Sequence, residues 1–241
     1  MENTTLQEAK SQIEKNKEFE FVEMPVYNFI KRAFDIVSSF VASILLLIPI
    51  SVISVMIVVK DGWSPFYMHK RIGRNGKKFG VCKFRSMKKG ADNLEKMLTP
   101  EQLAEYKKEY KLADDPRLIG YKSPGDGNKC FGSKLRRMSV DELPQILVNI
   151  LILGNMSVVG PRPIIESELN DNYTPEEQKL LLSVKPGLTG YWQAYARNNV
   201  GYENGERQKM ELFYVQNRSF MMDIKIIFKT ISTVLGRRGA K

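Results

Sequence analysis

The chain has 241 residues, with 37 Lys and Arg against 27 Asp and Glu, a formal net charge of +10, two cysteines and one histidine. That length is enough for a sizeable core in one large domain or two small ones. A single histidine, His69, argues against Ser-His and Cys-His triads and multi-histidine metal sites. Cys82 and Cys130 are too few for a disulfide framework or a zinc site, which fits a reducing compartment.

The charge is unevenly spread. Residues 1–30 carry Glu2, Glu8, Glu14, Glu18, Glu20 and Glu23 against Lys10, Lys15 and Lys17, leaving about +13 on the remainder. Such a surface suits anionic lipid, phosphorylated substrates or nucleic acid. From Ile36 to Val59 no residue is charged. Those positions make about 36 Å of helix, enough for a hydrocarbon core about 30 Å thick. A long acidic stretch before the run argues against a secretory signal. Pro49 falls near its middle and predicts a kink. Lys31 and Arg32 precede the run, and Lys60, Lys70, Arg71, Arg74, Lys77 and Lys78 follow it. Basic residues on both sides favour cytoplasmic placement of both flanks. A re-entrant helix-break-helix satisfies that, and a kinked spanning helix is the alternative.

Phe66 to Met87 reads as a β-hairpin turning at Asn75-Gly76, with Lys83-Phe84-Arg85 at its end. Gly73, Gly76 and Gly80 fit turns, not a nucleotide fingerprint. Ala91 to Lys111 predicts a charged helix interrupted by Pro100. Residues 176–184, Arg207 to Val215 and Met221 to Leu235 predict further helices. The last carries Ile224, Ile227, Phe228, Ile231 and Leu235 on one face beside Lys225 and Lys229. That pattern fits either an interfacial helix on an anionic membrane or a terminal helix packed on the core.

Between these elements lies Arg136-Arg137-Met138-Ser139-Val140-Asp141-Glu142-Leu143-Pro144-Gln145. Ser139 with Glu142 three residues on is a capping-box pattern, and Asp141 could equally cap a helix with Pro144 in its first turn. The same position suits chemistry, because a helix N-terminus stabilises anions and offers N–H groups to phosphate. Consecutive carboxylates on a helix diverge by about 100°, which suits two separate tasks. One could attack phosphorus while the other holds Mg²⁺.

Lys83-Phe84-Arg85-Ser86-Met87, Asp115-Pro116-Arg117, the Leu135 to Gln145 stretch, Gly154-Asn155-Met156-Ser157-Val158-Val159-Gly160-Pro161-Arg162-Pro163 and Lys185-Pro186-Gly187-Leu188-Thr189-Gly190 occur in order, followed by Ala196-Arg197-Asn198. From Tyr27 to Leu235 the chain resembles the bacterial sugar transferases, the monotopic phosphoglycosyl transferases that load a polyprenyl phosphate. The resemblance implies transfer of a hexose 1-phosphate from a UDP-sugar to undecaprenyl phosphate, with release of UMP, as a first membrane step of surface polysaccharide assembly. It implies Asp141 as nucleophile, Glu142 as Mg²⁺ ligand, and Lys83, Arg85, Arg136, Gln145, Arg162, Arg197 and Asp223 as the substrate-binding set. The fold it implies is α+β, mainly α, with a re-entrant membrane helix, amphipathic interfacial helices and a small hairpin. It also implies residence on the cytoplasmic face of the bacterial inner membrane. The expected organisation is a polar extension over 1–26, the re-entrant helix over 27–60 and a catalytic domain over 61–241. Family members commonly place serine before the helix-breaking proline, whereas this chain has Ile48-Pro49; Ser43 or Ser51 are the candidates to satisfy the freed carbonyl. Nucleic acid is not an expected partner, and homo-oligomerisation is left open. A membrane-tethered adaptor without catalysis is the competing reading.

Overall fold

The computed structural model describes residues 23–109, 112–196 and 205–235. Residues 1–22 of the polar extension, and Arg197, lie outside the described residues. The protein is mainly helical. In chain order the elements are α1 (Pro25–Asp61), β1 (Phe66–Ile72), β2 (Lys78–Phe84), α2 (Leu94–Met97), α3 (Pro100–Glu109), α4 (Phe131–Arg137), β3 (Ser157–Val159), α5 (Glu166–Asn172), α6 (Pro175–Leu181), β4 (Gly187–Thr189), α7 (Tyr191–Tyr195), α8 (Glu206–Asn217) and α9 (Phe220–Leu235). A 3-10 turn, Val140–Glu142, and a π-helix, Ile146–Ile152, lie between α4 and β3.

Contacts divide the chain into two units. The first comprises the described residues within 1–44, 68–81 and 145–241; the second comprises 45–67 and 82–144. The sequence partition at residues 26 and 60 follows hydropathy, whereas this division follows packing.

The helix α1 is 37 residues long, about 55 Å of rise. Its most apolar 18-residue window has a mean hydropathy of 2.8 and is only 6% buried. Helical assignment continues across Pro49, so the expected break is not an unwound gap but a proline inside one helix. Proline at 49 removes the N–H that would reach the carbonyl of Leu45. Neither candidate serine repairs this loss: Ser51 Oγ donates to Leu47 O at 2.8 Å, and the buried Ser43 Oγ has no hydrogen-bond partner among the described residues.

The hairpin forms as its turn sequence dictates. Asn75 sits at φ 58°, ψ 29° and Gly76 at φ 73°, the left-handed pair that Asn-Gly accommodates best. The interruption expected at Pro100 within 91–111 is present, and the described part of that region forms two helices. Pro100 opens the second, at a position where its missing N–H costs nothing.

In the first unit, β3 and β4 pair in parallel, with Ser157 opposite Gly187 and Val159 opposite Thr189. Gly160 N donates to Thr189 O and Gly187 N to Pro161 O, both at 2.9 Å. The chains approach so closely that a Cβ at Gly187 would lie 2.1 Å from Gly160 N, and one at Gly160 would lie 2.5 Å from Lys185 O. Around this pair Val159, Ile164, Leu180, Leu212, Val215 and Ile226 form the core. Asp35, 2% exposed, ties the base of α1 to β3 by accepting Ser157 Oγ–H at 2.7 Å and Val158 N–H at 3.0 Å.

The α9 helix packs through Ile226, with Met222 and Ile227 against the same core, while Phe220, Met221, Phe228 and Ile231 stay exposed. Its exposed apolar residues therefore include Phe228 and Ile231 of the expected face. Helix α8 is buried over most of its length, polar residues included. Within it Glu211 is 2% exposed, and burial raises its carboxyl to about 7 against the opposing pull of Arg207. In the second unit, Ile57, Phe84, Ile119 and Leu135 form a smaller core, joined by Ile50, Ile53 and Leu143.

Two stability predictions arise. Gly160→Ala forces backbone apart, and overpacking of this kind should lower Tm by roughly 3–10 °C; an unchanged melting curve in detergent would contradict the close approach. Glu211 holds its proton in the folded state where the unfolded chain has released it. Stability should therefore fall as pH rises from the unfolded carboxylate range, about 4.5, to about 7, then level off. Glu211→Gln should flatten that slope and raise Tm at pH 8, and a variant with the wild-type pH profile would remove Glu211 as its source.

Candidate active site

The acid pair is placed by a forced turn. Helix α4 ends at Met138, and Ser139 follows at φ 54°, ψ 20°, left-handed for a residue with a side chain. Such a conformation costs on the order of 1–3 kcal/mol and persists where surroundings impose it. It also rules out the expected capping box. A capping serine needs an extended backbone to aim its hydroxyl at the turn, and Ser139 makes no side-chain capping bond. The carboxylates instead ride on the 3-10 turn, where Glu142 N donates to Ser139 O and Leu143 N to Val140 O, each at 3.2 Å. The π-helix after it is an unusual geometry often found at functional sites.

Three sequence motifs assemble around that turn within the second unit. Ile119 N donates to Ser86 O at 3.0 Å and Gly132 N to Ile119 O at 2.8 Å. A Cβ at Gly132 would lie 2.1 Å from Ser86 O, so only glycine lets α4 seat here. Asp115 clamps Arg117 through Nε at 2.8 Å and Nη2 at 2.7 Å, and Arg117 O receives Lys88 N–H at 2.7 Å. The segments 83–87, 115–117 and 135–142 are thus one bonded scaffold.

On it, Lys83 meets both acids. Its Nζ lies 2.7 Å from Glu142 Oε1 and 3.8 Å from Asp141 Oδ2. Side-chain exposure is 23% for Lys83, 25% for Glu142 and 11% for Asp141, so Asp141 is the most enclosed of the three. The ammonium offsets two adjacent negative charges. Arg136 is exposed and directs Nε to Ser86 Oγ at 2.8 Å. Arg85 bonds Asp61 and the carbonyls of Gly62 and Ser64, and in that arrangement it clasps the chain leaving α1.

Asp141 and Glu142 fit what Mg²⁺ takes from a protein. That ion uses one or two carboxylates and completes its shell with water and substrate phosphates. Among the described residues no group of three or more His, Cys, Asp or Glu side chains is placed to hold a metal.

The other sequence-derived site residues belong to the first unit. Gln145 is 3% exposed, and its Nε2 has no hydrogen-bond partner among the described residues. Arg162 donates its backbone N–H to Glu211 Oε2 at 3.2 Å, and its guanidinium lies 5.7 Å from the Trp192 ring centre. Asp223 receives Tyr27 Oη–H at 2.8 Å, Lys31 Nζ at 2.9 Å and Tyr214 Oη–H at 2.8 Å, joining α1, α8 and α9. Burial and the adjacent Asp223 carboxylate raise the Tyr214 hydroxyl well above its ordinary value, so it serves as a fixed donor. Sequence reasoning missed Asp35 and Asp61. Their only signal was position, as lone acids just before and just after the apolar run.

The sequence pattern of the bacterial sugar transferase family matches residues 26–237. The chain is 43% identical over 215 residues to a UDP-galactose-lipid carrier transferase of Erwinia amylovora, covering 88% of this chain and 42% of that protein. It is 40% identical over 219 residues to the exopolysaccharide production protein ExoY of Rhizobium meliloti, covering 90% of each. It is 41% identical over 218 residues to an undecaprenyl-phosphate galactose phosphotransferase of Salmonella typhimurium, covering 88% of this chain and 42% of the relative. The chain therefore spans less than half of two of these relatives and nearly all of the third. With the family pattern covering nearly the whole chain, and the motif scaffold carrying its acid pair, this protein belongs to the bacterial sugar transferase family.

Proposed function

We propose that the protein transfers a hexose 1-phosphate from a UDP-sugar to undecaprenyl phosphate, releasing UMP, on the cytoplasmic face of the bacterial inner membrane. The observation that carries the proposal is the enclosed Asp141 beside Glu142, with Lys83 reaching both. Galactose is the first sugar to test, since two of the relatives are named for it.

The reaction proceeds in two displacements at one phosphorus. An Asp141 oxygen attacks the sugar-bearing β-phosphorus, and the bond from that phosphorus to the bridging oxygen breaks. UMP leaves with the bridging oxygen, and the enzyme holds an acyl phosphate bearing the sugar. An oxygen of the lipid phosphate then attacks the same phosphorus, restoring the Asp141 carboxylate and forming a lipid diphosphate sugar. The obstacle in both steps is like charge. Two unit anions 4 Å apart repel by about 4 kcal/mol at an effective dielectric constant near 20. Lys83 offsets this where the phosphate docks, and Arg136, exposed at the end of α4, adds a second cation on the same scaffold. Glu142 would hold Mg²⁺, which supplies charge neutralisation of the diphosphate when bound.

A re-entrant α1 supports this chemistry by keeping the catalytic scaffold at the interface where the lipid phosphate lies. Four features favour re-entry: the unburied apolar window, Pro49 within it, basic residues on both flanks, and the exposed Phe220, Met221, Phe228 and Ile231 of α9. The last four fit an interfacial helix.

Asp141→Asn should reduce UMP release from UDP-galactose by at least about a thousandfold while membrane association is retained, and a phosphosugar adduct should be trapped on Asp141 in wild type by mass spectrometry. Unimpaired turnover in the variant would remove the nucleophile. A wild-type protein inactive on every UDP-sugar would favour a non-catalytic adaptor. For topology, single cysteines introduced before Ile36 and after Val59 should both react with impermeant reagent only from the cytoplasmic side; native Cys82 and Cys130 are buried and give little background. Labelling from opposite sides would establish a spanning helix instead.

A further inference from the structure

The first unit contains a cavity of about 230 Å³ that neither Lys83 nor the acid pair lines. Its walls come from the polar base of α1, the hairpin turn, and the loop before β4. Lys31, Arg32, Arg74, Lys185 and Arg218 are among its lining residues, against one lining carboxylate, Asp35. That carboxylate is already engaged by the Ser157 hydroxyl and the Val158 N–H. Lys31 is matched by Asp223 at 2.9 Å. Arg32 donates to Ile150 O at 3.0 Å, a carbonyl without net charge. Arg32, Arg74 and Lys185 thus face the space, whose lining carboxylate is Asp35.

The consequence is visible on Lys185. Burial lowers its ammonium below the usual lysine range, and Arg32 and Arg74 push it the same way, against Asp35. Packing cations around a half-buried space is unfavourable unless an anion enters it. The volume is far above the roughly 10–15 Å³ that a single water requires, so it accommodates a phosphate group. The cavity also lies at the residues of α1 immediately preceding its charge-free run, where a lipid phosphate group would be carried.

We propose that this cavity is a second anion site, built from Arg32, Arg74 and Lys185, that binds a phosphate monoester, whether on a lipid headgroup or free in solution. The site is independent of the Asp141 chemistry and requires no turnover to observe.

Thermal unfolding of the full chain in neutral detergent, without Mg²⁺, tests it. Inorganic phosphate and dihexanoyl phosphatidic acid are the two probes, with dihexanoyl phosphatidylcholine as control. A saturating phosphate monoester should raise Tm by roughly 5 °C. The double variant Arg74→Gln, Lys185→Gln should need at least about tenfold more probe for the same shift, because two charge-assisted partners are gone. Without probe its Tm should equal or exceed that of wild type, since like-charge repulsion is relieved. If the double variant does not fold, Arg74→Gln alone serves, because that side chain is exposed. A larger shift with phosphatidic acid than with inorganic phosphate assigns the site to lipid; an equal or larger shift with inorganic phosphate assigns it to a soluble phosphate. The proposal is overturned if neither probe shifts wild type, if the variants respond as wild type does, or if Asp141→Asn abolishes the shift. That last result would place the phosphate at the acid pair.

Discussion

Backbone approach at distances that no Cβ tolerates organises both units. In one, Gly187 meets Gly160 where β3 and β4 pair; in the other, Gly132 seats α4 against Ser86 O. Each approach replaces side-chain packing with direct main-chain hydrogen bonding, and each joins two motifs far apart in sequence. The Gly-Pro-Arg-Pro and Pro-Gly-Leu-Thr-Gly stretches meet in the first case. The segment after the hairpin meets the helix that delivers the acid pair in the second. The glycines of these motifs are therefore steric requirements of the scaffold, not ligands in their own right.

Buried charge is the second organising theme, and it is handled differently in each place. Asp35 and Asp223 are enclosed and fully occupied, the first by a hydroxyl and an amide, the second by two tyrosines and a lysine. They hold α1 to the rest of the first unit. Asp141 is also enclosed, but its neighbours within reach include a lysine at 3.8 Å that also bridges to Glu142. Asp141 thus shares its cation with Glu142, whereas Asp35 and Asp223 are held by short hydrogen bonds across elements. Arg85 and Arg136 illustrate the same division among cations: the first is committed to Asp61 and nearby carbonyls, the second remains at the surface.

Much of the local structure was legible. The charge-free run from Ile36 to Val59 is long and helix-compatible, and it is a helix; Asn75-Gly76 turns a hairpin because left-handed backbone suits those two residues. Pro100 divides the charged region where its missing N–H predicts an interruption. The capping box at Ser139 was not formed, since three-residue spacing says nothing about the backbone angle of the first residue. The sequence left a broken and a continuous helix open at Pro49; α1 is continuous there, because the cost of one lost hydrogen bond is small against the many others in a 37-residue helix.

By itself the sequence determined the chemistry available: one histidine, two adjacent acids between arginines and a lysine motif, an apolar helix with basic flanks, and ordered motifs that identify the family. These are properties of residue type and spacing, and they survive without coordinates. Only the tertiary structure decided which charges meet. Lys83 is 58 residues from Asp141, and the cations Arg32, Arg74 and Lys185 come from three separate elements, yet each set converges. Electrostatic energy depends on distance through space and on burial, and neither quantity is written in the order of the chain.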